Sequence, residues 1–72
     1  MVALMNAGRG ARGRVLLIKA GLKRRRTLRK MGIFEGAMLE VISDASPGGI
    51  WIRTKLAQIS LSKKSAGDIF IG

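Results

Sequence analysis

The chain contains no cysteine, no histidine and no tyrosine, and each absence closes off some chemistry. Without cysteine, neither a disulfide framework nor a thiolate zinc site can staple a small core, and an intracellular setting is the economical expectation. The usual general acids, bases and nucleophiles are missing as well, which leaves Glu35, Glu40, Asp44 and Asp68 as the whole carboxylate complement. Those four are scattered through turn and strand positions among 14 Lys and Arg. A carboxylate-only metal site would need several of them to converge, and the softer transition metals prefer sulfur or imidazole ligands. The expectation is therefore no catalytic residue, no metal site and no cofactor, with each carboxylate balancing a nearby cation. Long apolar runs are absent too. Val15-Leu16-Leu17-Ile18 falls far short of the roughly 20 residues that span a bilayer, and the first ten residues lack the basic start of a secretory leader. A cytoplasmic protein, soluble or peripheral, is expected.

What is present is a short, apolar and strongly basic chain. Its 72 residues allow one small domain over 1–72, of a size that buries only about 60% of its unfolded surface. With 47% hydrophobic residues and a mean hydropathy of +0.20, it is too apolar to be disordered despite its charge. It should fold. A formal net charge of +10 means attraction to polyanions, whether nucleic acid, anionic lipid or acidic protein.

Glycine and the single proline cut the chain into pieces mostly too short for anything but strands. Residues 13–19 form a β-branched and leucine-rich run. Residues 37–43 alternate, with Leu39 and Val41 on one face and Met38, Glu40 and Ile42 on the other. Ser46-Pro47-Gly48-Gly49 reads as a turn. The strand that follows places Ile50 and Ile52 inward and Trp51, Arg53 and Lys55 on the opposite face, which is either open or covered by another segment. Residues 58–61 and 68–71 add two more strands, and 62–67 has room for one helical turn between them. The fold class is mainly β with one short helix, a small barrel of about five strands. Phe34 and Phe70 are expected in the core, and the four methionines are expected to serve packing.

The helix is expected over 22–31, between Gly21 and Gly32, with 24, 27, 28 and 31 forming one stripe. Six of the eight residues from Lys23 to Lys30 are cationic. Leu28 and Met31 are left to pack on the barrel, while Lys23, Arg25, Arg26, Arg29 and Lys30 are expected largely in water. Gly8-Arg9-Gly10-Ala11-Arg12-Gly13 matches G-x-G-x-x-G, but it precedes a strand, where a dinucleotide loop would follow one and open a helix. It reads as a turn.

Taken in order, Gly13-Arg14-Val15, the basic helix closing on Leu28-x-x-Met31-Gly32-Ile33-x-x-Gly36, Leu39-Glu40-Val41-Ile42, Ser46-Pro47-Gly48-Gly49 and Leu61-Ser62-Lys63-Lys64-Ser65-Ala66-x-x-Ile69-x-Ile71 resemble the FeoA family over nearly the whole chain. The resemblance implies an SH3-like β-barrel with a helix inserted after the first long strand. It also implies a non-enzymatic cytoplasmic accessory of ferrous iron uptake, with no small-molecule substrate, that assists the GTPase-bearing permease FeoB and is peripheral at the inner membrane through that partner. Three departures, Arg9 for a common proline, Thr27 for a common leucine, and the unusual helix charge, point to a contact surface that leans on charge more than on an apolar groove. Lys23, Arg25, Arg26, Arg29 and Lys30 are expected to make partner contacts, with Trp51, Arg53 and Lys55 second. The alternative is a nucleic-acid-binding SH3-like module using the same basic surface, though only Trp51 offers a stacking platform. A repressor-type SH3-like domain stands third, set back by the short free-standing length.

Overall fold

A computed structural model describes residues 1–44 and 47–72. Six strands and three helices follow one another: β1 Val2–Ala3, α1 Leu4–Ala7, β2 Arg12–Ile18, α2 Leu22–Lys30, β3 Met38–Ser43, β4 Gly49–Arg53, β5 Gln58–Ser62, α3 Lys63–Gly67 and β6 Ile69–Ile71. All five expected strands form, within a residue or two at their ends. The two-residue β1 and the short α1 are additional. Of the expected turn, Ser46 lies outside the described residues, while Pro47 and Gly48 lead into β4.

The strands make one antiparallel sheet in the order β1-β6-β2-β3-β4-β5, and its curl comes from β2. The first half of that strand, Arg12 to Arg14, pairs with β3, and its second half pairs with β6. A bulge between Val15 and Leu17 marks the change of partner, as bulges do where a strand bends. Leu16 is turned out to solvent there. The sheet does not close; α1 and α3 pack on each other beside its ends, with α3 also touching β4, β5 and β6.

The interior is aliphatic. Leu4, Val15, Ile18, Leu28, Ile33, Leu39, Val41, Ile50, Ile52, Leu61, Ala66, Ile69 and Ile71 are buried, including the inward residues that alternation assigns to β3 and β4. Neither phenylalanine joins them. Phe70 lies between Ile69 and Ile71, which both point inward, so period two turns its ring outward to half-burial beneath the Lys19 ammonium, 5.1 Å from the centroid. Phe34, in the turn before β3, is 38% exposed.

The end of α2 is a Schellman cap. Ile33 N–H donates to Leu28 O and Gly32 N–H to Arg29 O, both at 3.0 Å, with Gly32 at φ +89°. The buried pair Leu28 and Ile33 supplies the accompanying apolar contact. The Leu-x-x-Met-Gly-Ile spacing is thus a helix terminator that also plants two core residues. Thr54, the buried polar residue among those described, braces it from just beyond β4. Its Oγ1 donates to Met31 O at 2.8 Å and accepts from the N–H groups of Leu56 and Ala57, both at 3.1 Å.

Candidate docking surface

The basic helix divides into two classes of cation. Leu28 is its buried residue; at 3.6 residues per turn, Arg24 and Arg25 lie one turn before it on either flank. Both reach back to the barrel. Arg24 donates to Asp68 Oδ2 at 3.1 Å and to Ser65 Oγ at 2.8 Å, tying α2 to α3 and the start of β6. Arg25 donates to Ile18 O at 2.8 Å and to Glu35 Oε1 at 3.2 Å, tying α2 to the end of β2 and to the turn before β3. Both side chains are 36% exposed. The expectation that Arg25 stays largely in water is therefore corrected: it is half-buried and structural. Thr27 is rotated out to solvent, so the inner stripe is 24, 25, 28 and 31 in place of 24, 27, 28 and 31.

Lys23, Arg26, Arg29 and Lys30 remain exposed. Lys23, Arg26 and Lys30 fall opposite Leu28 on the helix wheel. Arg29 leans over the Phe34 ring, its guanidinium carbon 5.0 Å from the centroid, a geometry that favours the cation electrostatically. Arg29 and Lys30 also complement the negative end of the helix.

The second predicted group sits on β4 and just beyond it. Trp51 is 43% exposed on the outer sheet face, paired with Ser60 of β5 and Ser43 of β3. Of the two arrangements alternation left open, Trp51 takes the exposed one. Arg53 donates to Glu40 Oε1 at 2.9 Å across the β3–β4 ladder. Lys55 is exposed in the turn after β4.

Two clefts flank Phe34. One, of about 390 Å³, lies between α2 and the turn and is lined by Leu22, Arg25, Arg26, Arg29, Phe34 and Glu35, floored by Ile18 and Ile33. The other, of about 470 Å³, is bounded by Arg14, Phe34, Met38, Lys55 and Leu56. Lys55 and Arg29 thus approach Phe34 from opposite sides, while Trp51 belongs to a separate face. Sequence reasoning put Phe34 in the core and did not single out Arg14 or Leu56, while alternation set Met38 opposite the inward Leu39 and Val41 without marking it as part of a cleft. The available signal was Leu56, a bulky apolar residue in a tight connection between strands. The expected preference for charge over an apolar groove is only half of what the surface displays.

Three carboxylates are committed to arginine: Asp68 to Arg24, Glu35 to Arg25 and Glu40 to Arg53. Among the described residues, no three acidic, histidine or cysteine side chains gather as a metal site would require. No described helix is long and apolar enough to cross a membrane.

A family model described as the FeoA domain matches residues 2–72. The chain belongs to the FeoA domain family. An iron uptake regulatory protein of this name, solved by crystallography, shares 31% identity, with 97% of this chain and 93% of that one covered and a TM-score of 0.85. A manganese-dependent transcriptional repressor gives a TM-score of 0.84 at 22% identity; 97% of this chain is covered but only 40% of the repressor, a likeness of fold alone. FeoA of Stenotrophomonas maltophilia, crystallised with zinc and described as a prokaryotic SH3 domain protein, gives 0.77 at 13% identity, with all of this chain and 91% of that one covered. The fold is SH3-like. No curated protein matches the chain significantly by sequence.

Proposed function

We propose that the chain is a non-enzymatic accessory module of ferrous iron uptake that docks on the cytoplasmic, GTPase-bearing part of a FeoB-type permease. Family membership and the name of the 31%-identical relative support the iron-uptake setting. The observation that carries the docking surface is the division of labour on α2: Arg24 and Arg25 fix the helix, and Lys23, Arg26, Arg29 and Lys30 are displayed. Cations displayed on a tethered helix suit an acidic protein face, raising encounter rates by steering that salt screens over about 8–10 Å. Lys55 extends this surface on the far side of Phe34, and Trp51 with Arg53 extends it on a second face.

Association with the permease's soluble GTPase region, followed by stopped flow across a salt series, tests the reading. Arg26→Glu with Lys30→Glu should slow association about tenfold at low salt and leave the fold intact. Unchanged association in that variant would overturn it. The exposed Trp51 beside Arg53 favours a second reading, single-stranded nucleic-acid binding. A sequence-selective complex that survives physiological salt would establish it in place of the first.

A further inference from the structure

We propose that the face centred on Phe34 binds an anionic bilayer directly, its apolar side chains entering the headgroup layer while the surrounding cations meet lipid phosphates. This does not rest on the docking reading, because it concerns lipid in the absence of any permease.

Leu22 and Leu56 are 67% and 68% exposed, and Phe34 and Met38 are 38% and 41% exposed. Single exposed leucines are unremarkable. These four are not isolated: Phe34 lines both clefts, with Leu22 in one and Met38 and Leu56 in the other. Exposed apolar side chains grouped in this way and rimmed by polar ones mark an interaction site.

The rim is cationic on both sides, with Arg26 and Arg29 beyond one cleft and Arg14 and Lys55 beyond the other. Glu35 is the carboxylate lining either cleft, and Arg25 neutralises it. Long cationic stems can lie on apolar surface while their heads reach phosphate, and apolar insertion plus attraction to anionic lipid is how interfacial proteins bind. Shape decides between lipid and an acidic peptide. A peptide groove recesses its apolar contacts, whereas here Leu22 and Leu56 stand about two-thirds exposed.

The test is flotation with vesicles of three parts phosphatidylethanolamine to one part phosphatidylglycerol, against phosphatidylcholine alone. Binding to the anionic vesicles only, persisting at physiological salt, is expected. Leu22→Ser with Leu56→Ser should lower that partition roughly tenfold, and Arg26→Gln roughly fivefold. Circular dichroism checks that the variants fold, which the exposure of these residues predicts. A Phe34→Trp, Trp51→Phe protein supplies a second measurement: its fluorescence should be quenched by chain-brominated lipid, and that of the parent, reporting Trp51, should not. The proposal fails if anionic vesicles do not bind at physiological salt, if the apolar double variant binds like the parent, or if the tryptophan at position 34 is not quenched.

Discussion

Replacing Gly32 with alanine probes two effects at one position. Its φ of +89° is left-handed, which costs an L-residue about 1–2 kcal/mol. An added methyl would also stand 2.7 Å from Thr54 Oγ1 and 3.0 Å from Thr54 Cβ, closer than carbon atoms tolerate. Thr54 would have to move. Its hydroxyl joins Met31 O to the N–H groups of Leu56 and Ala57 in a buried position, and each such bond is worth about 1 kcal/mol. Losing one or two of them brings the total to about 2–4 kcal/mol.

Gly36 is the internal control. It has almost the same φ, +93°, and nothing within 4 Å of an added Cβ, so Gly36→Ala should incur only the backbone cost. With a urea slope of about 1 kcal/mol/M for a protein of this size, the midpoint should fall by about 1–2 M for Gly36→Ala and about 2–4 M for Gly32→Ala. Adding Thr54→Ala should interact favourably with Gly32→Ala, since the hydroxyl oxygen is the nearer obstacle. Equal midpoints for the two single variants would refute the bracing role assigned to Thr54.

Leu28→Ala should cost about 2–5 kcal/mol, visible as a lower urea midpoint with loss of helical ellipticity, because Leu28 is the buried residue of α2 and the partner of Ile33 in its cap. A double-mutant cycle on Arg24 and Asp68 should give a coupling of no more than about 1 kcal/mol; the pair is about one-third exposed on both sides, and it should weaken in high salt. Trp51→Ser should lower unfolding free energy by about 1 kcal/mol, well short of a core truncation, since the indole is 43% exposed on an outer sheet face between serines. A larger loss would place that ring in the core.

Alternation and punctuation were enough to read β3, β4 and the helix stop, because each is governed by neighbours in sequence. Ile50 and Ile52 had to share a face, and Gly32 had to end a helix. What escaped was governed by distant contacts. A two-residue strand such as β1 has too little sequence to signal itself and exists because β6 offers Val2 and Ala3 a ladder. Leu16 faces water by the alternation that buries Gly13 and Val15, and the bulge after Val15 then buries Ile18 where strict period two would bury Leu17, which the run Val15-Leu16-Leu17-Ile18 conceals. Phe70 is a different case: its neighbours Ile69 and Ile71 already specified the orientation, and period two should have outranked the general tendency of phenylalanine to be buried.

The candidate site turns on a distinction that charge counting does not make. Six cations in a run look equivalent, yet the helix has a single deeply buried side chain, and whatever lies one turn before it is carried toward the barrel whether apolar or not. Arginine can occupy those flanks because its stem packs on apolar surface while its head finds carboxylates and carbonyls. Asp68, Glu35 and Ile18 O provide these at the two sides of α2. Arg24 and Arg25 therefore substitute for the apolar residues that a helix with one buried leucine lacks, and the tethering they give is what keeps Lys23, Arg26 and Lys30 pointed outward against their mutual repulsion. Reversing Arg25 would place a carboxylate beside Glu35 and strip Ile18 O of its donor, so it would loosen the helix and confound any measurement of steering. Reversing Arg26 and Lys30 touches neither tether, and only that pair separates the charge the helix displays from the charge that holds it in place.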